Sequence, residues 1–104
     1  MIALVEKNIE SIRELCKKHF VRRFDLVGSA VDRGSFRDDS DVDFLYSFKK
    51  SEIPEANYAD NYFELLFALE SLLNRRVDLV AEEKIRNPFF LKSINDNRIP
   101  LYEA

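Results

Sequence analysis

Crosslinking and backbone-breaking residues are scarce in this sequence. The 104 residues include one cysteine, two glycines, three prolines and no tryptophan. A single cysteine excludes an internal disulfide, so a hydrophobic core must stabilise the fold, and the chain is long enough to form one. Because Cys16 falls on the apolar side of a predicted helix, we expect a small buried residue and not a reactive thiol.

Long apolar runs and excess positive charge are also missing. No segment is long and apolar enough to span a membrane, and the N-terminal MIALVEKNIE has no apolar core of the kind found in signal peptides. The net charge of −3 argues against direct binding to nucleic acids or anionic membranes. The short basic clusters within 17–23 and at 75–76 are expected at solvated helix ends and strand edges. We therefore predict a cytoplasmic protein.

The composition that is present is that of an ordinary globular protein. Apolar residues make up 46% of the chain and charged residues 34%, a balance that disordered chains do not have. A chain of this length typically forms one hydrophobic core. We therefore predict a single domain over residues 1–104.

Two segments carry apolar residues at the spacing of an amphipathic helix, which predicts helices over 3–19 and 57–73. A shorter helical turn is predicted to begin near Pro88, within IRNPFFLKSI. The apolar residues that define the long helices are Val5, Ile9, Ile12, Cys16 and Phe20 in the first, and Tyr58, Tyr62, Leu65, Leu66, Leu69, Leu72 and Leu73 in the second.

Three short segments have the alternation or the Val and Leu content of β-strands. They predict strands over 22–28, 41–48 and 76–82, followed by an extended C-terminal end at 98–104. The element order is therefore α, β, β, α, β and a short α. This order predicts an α+β fold in which a small mixed β-sheet has helices packed mainly on one face.

The segment 28–43, GSAVDRGSFRDDSDVD, contains both glycines and five aspartates but only two arginines. Asp41 and Asp43 are two residues apart at a predicted strand, so both side chains leave the same face of the sheet. Two such carboxylates repel each other by roughly 2–3 kcal/mol at an effective dielectric constant near 20. A purely structural role gains nothing from that repulsion, whereas a divalent cation such as Mg²⁺ converts it into binding.

A third aspartate extends this pair. Asp78 lies between Val77 and Leu79, which are both expected in the core, so its side chain is predicted to point to the other face of the strand. If this strand pairs with strand 41–48, Asp78 forms a triad with Asp41 and Asp43. Three acidic ligands can hold two Mg²⁺ ions about 4 Å apart, the arrangement used in phosphoryl and nucleotidyl transfer.

The first predicted strand ends at a glycine followed by a serine. Because Gly28 has no Cβ, a phosphate can approach the backbone N–H groups, and the Ser29 hydroxyl adds another donor. Arg33 is the nearest fixed positive charge that could neutralise the same phosphates. We therefore predict that Gly28, Ser29 and Arg33 bind the phosphates of a nucleotide.

This combination of Gly-Ser, a following Asp-x-Asp and a later strand aspartate resembles the signature of the DNA polymerase beta-like nucleotidyltransferases. The chain is similar to their small branch, the minimal nucleotidyltransferases or MNT domains, over nearly its whole length, including FDLVGS, SDVDFLYSF, RRVDLV and NPFFLKSI. By this resemblance Gly28 and Ser29 match the phosphate-binding pair. The metal-binding and catalytic acids are matched by Asp41, Asp43 and Asp78. The loop that contains Arg33 is one residue longer than the family's usual spacing.

The resemblance implies a nucleotidyltransferase that uses two Mg²⁺ ions and ATP, with attack by a hydroxyl on the α-phosphate and release of pyrophosphate. It also implies a protein adenylyltransferase that serves as the antitoxin of a HEPN–MNT pair, transferring AMP to a tyrosine of a HEPN toxin encoded by the adjacent gene. The chain has no sequence left to form a second domain around a small acceptor. A protein acceptor and a homo- or hetero-oligomeric complex are therefore expected.

Other interpretations fit part of the pattern. Asp-x-Asp alone also occurs in solvated acidic loops and in nucleotide-sugar glycosyltransferases, although the latter need a larger sheet domain. A calcium-binding loop would require glycine at the position of Phe44 and glutamate at that of Lys50. The main alternative is a binding module with weak or absent catalysis that silences its partner by occlusion.

Several aromatic residues and the single histidine are ambiguous. His19, at the end of a basic helix, is expected at the surface, where a cation is favourable. Tyr58 and Tyr62 are expected on the core-facing stripe of their helix. The Phe89–Phe90 pair is either a core plug or an exposed partner-binding patch, and a core position is the expectation.

Overall fold

A four-stranded sheet forms the centre of the computed structural model, which describes all residues from 1 to 104. The strands are β1 (Val21–Val27), β2 (Val42–Phe48), β3 (Val77–Ala81) and β4 (Ile99–Glu103), in the spatial order β3-β2-β1-β4. Strand β1 is antiparallel to both β2 and β4, whereas β2 and β3 are parallel. The predicted α+β fold with a mixed sheet is confirmed.

Four helices cover the sheet: α1 (Ala3–Lys7), α2 (Ile9–Lys18), α3 (Tyr58–Leu73) and α4 (Pro88–Asn97). Helices α1, α2 and α3 share one core with the sheet, and α4 packs on the opposite face. None of these helices is both long and apolar enough to cross a bilayer.

The first predicted helix is divided in two at Asn8. The side chain of Asn8 donates a hydrogen bond to the carbonyl of Leu4 at 2.8 Å, and its backbone N–H bonds to the carbonyl of Val5 at 3.1 Å. Asparagine side chains compete in this way with regular helical bonding. The apolar spacing therefore continues through the break, but the helix does not.

The main core depends on the alternation of side chains along the strands. Phe24 of β1 and Phe44 of β2 are fully buried, with ring centroids 4.7 Å apart. Cys16 of α2 joins this core, as expected, and burial raises the pKa of its thiol to about 12. Every second residue of β2 thus faces α2 and α3, whereas the core residues of β1 are Val21, Phe24 and Leu26 because a bulge lies between Val21 and Arg23.

The C-terminal part of the chain is more ordered than the sequence predicts. The helical turn expected near Pro88 is a ten-residue helix, whose first N–H groups are capped because the Asn87 side chain accepts from the backbone N–H groups of Phe89 and Phe90. The extended end is strand β4, which pairs with β1. Strand pairing over about 75 residues of sequence cannot be inferred from local pattern alone.

An ion-pair network beneath the C-terminal end of α4 was not predicted. Asp25 of β1 is 1% exposed, and its carboxylate accepts a hydrogen bond of 2.5 Å from Nε of Arg98. The same guanidinium donates to Glu82 at 2.6 Å, and Arg23 approaches Asp25 to 3.6 Å. Buried charges need such pairing, so Arg98 joins β1, the end of β3 and helix α4.

The expected surface position of His19 is wrong. The residue is 5% exposed, and Asn61 of α3 donates a hydrogen bond to its backbone carbonyl at 2.8 Å. Burial lowers the pKa of its imidazole. The packing of α3 over the end of α2, which is a tertiary contact, covers this helix end.

The Arg98 network generates a stability prediction. Replacing Arg98 by alanine leaves the buried Asp25 carboxylate with only Arg23, which lies 3.6 Å away and makes no hydrogen bond to it. We therefore expect the free energy of unfolding to fall by about 3–5 kcal/mol. Urea denaturation measures it. The control is Lys92→Ala, which breaks the exposed 3.2 Å pair with Asp96 on the same helix. That control should cost less than about 0.5 kcal/mol, and equal losses in the two variants would contradict the assignment.

Candidate active site

The pairing registers of three strands bring the main candidate residues into one row. Val27, the last residue of β1, lies opposite Asp43 of β2, and Asp43 lies opposite Asp78 of β3. Gly28 therefore follows directly at the end of the row. Because Phe44 and Leu79 enter the main core, the two carboxylates leave the opposite face of the sheet.

Gly28 occupies a position that no other residue could take without strain. Its φ is +71°, in the left-handed region, and a Cβ at this position would lie 2.4 Å from Oδ2 of Asp43. The glycine thus lets the turn after β1 run directly against the carboxylate. Ser29 follows in the short 3₁₀ helix Gly28–Val31, where the first N–H groups have no partner within the helix.

A cavity of about 450 Å³ lies over this row, a size typical of small-ligand sites. One side is formed by the β1 turn and the strand carboxylates, and the other by one face of α4. The first side includes Gly28, Ser29, Asp43, Asp78 and Val80, and the second is formed by Phe90, Ser93, Ile94 and Asn97.

Asp43 has a perturbed ionisation equilibrium. Its pKa is raised from 3.8 to about 6, first by burial and then by the negative charges of Asp78 and Asp41. The site therefore disfavours a full set of negative charges in the absence of a counter-ion. Perturbed carboxylates in a cavity are typical of functional sites.

Asp41 lies one residue before β2 and beside a cation that sequence reasoning missed. The backbone N–H of Val42 donates to the carbonyl of Arg76 at 3.0 Å, and Nε of Arg76 lies 3.2 Å from Oδ1 of Asp41. The parallel strands thus place Asp41 beside Arg76 just as they place Asp43 beside Asp78. The available signal was the spacing of Arg76 two residues before Asp78, which puts both on one face.

Arg75 holds the loop that leads into Asp41. Its guanidinium donates to the carbonyls of Arg37 at 3.0 Å and Ser40 at 2.5 Å, and it lies 4.6 Å from the ring centroid of Phe36. The basic pair at 75–76 was expected to be a solvated strand edge. Arg76 is exposed to solvent as expected, and both residues also contact the acidic loop.

Arg33 is not brought to the cavity. Its guanidinium donates to the carbonyl of Met1 at 3.0 Å and to the carboxylate of Glu6 at 3.0 Å. The turn around it is capped by Asp32, which accepts from the N–H of Gly34 at 3.0 Å. Arg33 thus forms an exposed ion pair with the N-terminal helix, and its phosphate contact stays a prediction.

The acidic side chains fit a hard divalent cation in their chemistry. Asp43 and Asp78 line the cavity together, and Oδ1 of Asp41 is screened from solvent without a directional hydrogen bond despite the nearby Arg76. Carboxylate oxygens are the ligands that Mg²⁺ prefers. No three acidic, histidine or cysteine side chains are close enough together to enclose an ion, and Asp41 pairs with Arg76 instead of joining Asp43 and Asp78.

Comparisons with known proteins agree with this geometry. Residues 9–101 match the family model described as nucleotidyltransferase domain. The protein adenylyltransferase MntA of Thermococcus cleftensis is 39% identical over 92 residues, covering 84% of this chain and 87% of the relative. The predicted protein adenylyltransferase MJ1379 of Methanocaldococcus jannaschii is 32% identical over 101 residues, covering 89% of this chain and 97% of the relative.

Solved structures have the same fold. A minimal nucleotidyltransferase superposes with a TM-score of 0.74 at 32% identity, covering 96% of this chain and 97% of its own. A toxin–antitoxin complex with AMP-PNP gives 0.69 at 20% identity, covering 93% and 74%. An MNT antitoxin in complex with a tri-AMPylated HEPN toxin of Shewanella oneidensis gives 0.63 at 18% identity, covering 95% and 72%. The last two are similar to this chain in fold alone.

The geometry of Gly28 generates a prediction with a matched control. Gly28→Ala adds a Cβ to a left-handed residue against Asp43, so we expect it to lower the free energy of unfolding by about 1–2 kcal/mol or more. Gly34→Ala should change it much less, because φ there is not positive and the nearest atom, Oδ1 of Asp32, lies 3.5 Å from the added Cβ. Urea denaturation of both variants measures the difference, and equal effects would contradict the strain at Gly28.

The coupling of Asp43 to Asp78 generates a pH prediction. Because the pKa of Asp43 in the folded protein is about 6, above its ordinary 3.8, the folded state binds this proton more tightly than the unfolded state. The associated stability is present below pH 3.8 and lost as the pH rises through about 6. Asp78→Asn should lower the pKa of Asp43 and stabilise the protein near pH 8 more than near pH 4.

Carboxyl NMR titration with a chelator present measures the pKa of Asp43 directly. Asp39→Asn, in the exposed acidic loop, is the control and should leave that pKa unchanged. An Asp43 pKa that is the same in the wild type and in Asp78→Asn would contradict the coupling.

Proposed function

Since the chain belongs to the nucleotidyltransferase domain family and is a minimal nucleotidyltransferase, we propose that it is a Mg²⁺-dependent protein adenylyltransferase and antitoxin. Its donor is ATP, and its acceptor is a tyrosine hydroxyl of a partner HEPN toxin. The observation that carries this proposal is the row of Gly28, Asp43 and Asp78 on one wall of a cavity.

The phosphate side of the reaction is assigned to the β1 turn. Gly28 has no side chain to shield its backbone, and Ser29 offers a hydroxyl and an N–H group beside the carboxylates. Donors of this kind bind phosphate oxygens without a compensating side-chain charge. This role explains why the turn runs against Asp43, since the carboxylate and the phosphates share the same counter-ions.

The carboxylates are assigned to the metal ions. Asp43 and Asp78 would hold Mg²⁺, with Asp41 joining them after release from Arg76. When bound, two such ions neutralise the developing charge on the attacking and leaving oxygens of an in-line displacement. The raised pKa of Asp43 supports this role, because that carboxylate lacks a counter-charge of its own.

We assign proton transfer to Asp78, which lies on the solvent-exposed side of the row. Asp78 is exposed, whereas Asp43 is half-buried. An acceptor hydroxyl approaching from solvent therefore meets Asp78 first. We assign acceptance of the hydroxyl proton to a carboxylate oxygen of Asp78, while Asp43 orients the donor.

A protein acceptor is supported by the proteins to which this chain is similar. Two similar proteins are named protein adenylyltransferases, and structures with the same fold include an MNT antitoxin bound to an AMPylated HEPN toxin. We propose that the partner supplies the rest of the acceptor surface, in the cytoplasm and without nucleic-acid binding by this chain.

The test is AMP transfer to the product of the adjacent gene, with labelled ATP and Mg²⁺. We expect Asp43→Asn and Asp78→Asn to reduce transfer on the order of 10²-fold or more, because each removes a charge that acts on the transition state. Asp39→Asn, in the exposed acidic loop, should retain transfer. Mass spectrometry of the partner identifies the modified side chain.

Two outcomes would contradict the proposal. Full AMP transfer by Asp43→Asn would contradict the assignment of the carboxylates to the metal ions. Inhibition of the partner by wild-type protein without any label on the partner would support occlusion, with the nucleotide site serving no catalytic purpose.

A further inference from the structure

Two consecutive phenylalanines at the start of α4 are exposed, contrary to the expected core position. Phe89 is 84% exposed and Phe90 is 52% exposed. They differ in what they contact, because Phe90 lines the cavity over Asp43 and Asp78 and Phe89 does not. The half-exposed ring of Phe90 lines this cavity and belongs to neither of the two buried apolar clusters, so core packing does not account for its position.

Helical geometry fixes the direction of Phe90. The α4 residues that line the cavity are separated by three or four positions, so they form one face of the helix: Phe90, Ser93, Ile94 and Asn97. Ile94 is 8% exposed and packs against Val27 and Leu45 of the sheet. The buried Ile94 thus anchors the face that carries Phe90, one turn away, toward the cavity.

The two walls of the cavity differ in chemistry. The wall formed by Gly28, Ser29, Asp43 and Asp78 offers backbone donors and carboxylates, which suit phosphates and their metal ions. The α4 wall offers the aromatic ring of Phe90 and the aliphatic side chain of Ile94 beside the polar Ser93 and Asn97. Val80 adds an aliphatic side chain from the sheet side. A nucleoside triphosphate has the same division, with a charged chain of phosphates at one end and a flat apolar base at the other.

We propose that Phe90 is the stacking platform for the base of the nucleotide donor, with Ile94 and Val80 forming the apolar surroundings. The inference rests on the proposed function and deepens it, because it assigns the base end of the donor to α4. Aromatic side chains stack on the face of any base, and such contacts contribute substantially to nucleotide affinity. Phe90 is the one aromatic side chain among the cavity-lining residues.

The ion-pair network at Arg98 supports this placement. Arg98 follows the last residue of α4 and pairs with the buried Asp25 of β1. The helix is therefore attached to the sheet at both its middle, through Ile94, and its C-terminal end. These two attachments position the helix that carries Phe90 beside the row of carboxylates, as a base-binding platform requires.

The experiment compares two ligands and two adjacent phenylalanines. Calorimetry measures the dissociation constants of a non-hydrolysable ATP analogue and of inorganic tripolyphosphate, each with Mg²⁺, for the wild type, Phe90→Ala and Phe89→Ala. We expect Phe90→Ala to weaken binding of the ATP analogue by about 5- to 150-fold, the range for loss of one base stack. Tripolyphosphate, which has no base, should bind Phe90→Ala and the wild type equally.

Phe89→Ala is the matched control, because it removes a more exposed phenylalanine outside the cavity. It should bind both ligands as the wild type does. Phe90→Tyr, which keeps the ring, should restore affinity for the ATP analogue. Thermal unfolding of each variant verifies that α4 remains in place.

Several results would overturn the inference. These are unchanged binding of the ATP analogue by Phe90→Ala, equal losses for the analogue and tripolyphosphate, or equal losses in Phe89→Ala and Phe90→Ala. Loss of partner binding in Phe90→Ala with full nucleotide affinity would assign the ring to a protein interface instead. A wild-type protein that binds tripolyphosphate but not the analogue also rejects the platform, whereas one that binds neither ligand rejects the proposed function itself.

Discussion

The parallel pairing of β2 with β3 is the constraint on which the site depends. It sets Asp43 against Asp78, and the period of two along each strand sends Phe44 and Leu79 into the core on the other side. The carboxylates cannot separate without moving apolar residues out of the core. The free energy of the hydrophobic core therefore holds two like charges together, and the pKa of Asp43 is raised first by burial and then by the charges of Asp78 and Asp41.

The opposite face of the sheet is organised around this charged row. Only a small apolar contact, Ile94 with Val27 and Leu45, attaches α4 there, so much of the face stays open as a cavity. The Arg98–Asp25 pair adds a second attachment beyond the apolar contact. A helix attached at these two points forms one wall of the cavity without covering the carboxylates. Helix α4 therefore contributes both to stability and to binding.

Much of the site could be predicted because its signals are local. The turn at Gly28 and the facing of the strand aspartates follow from backbone conformation and alternation, and both agree with the structure. Arg33 and Arg76 were less predictable, since a cation's partner depends on which segments meet in space. Arg33 pairs with the N-terminal helix, and Arg76, which is exposed as expected, also pairs with Asp41. The loop that contains Arg33 is one residue longer than the family's usual spacing, but this difference does not predict which residue Arg33 contacts.

Local sequence patterns predicted most of the helices and strands, which face of β2 and β3 is apolar, and which acids share a face, because these properties depend on neighbours a few positions apart. Only the tertiary structure decided that β4 pairs with β1, that Arg98 neutralises Asp25, that His19 is buried, and that Phe90 faces the cavity while Phe89 faces solvent. Those outcomes depend on contacts between distant segments, whose distances and desolvation are established only when the sheet and its helices assemble.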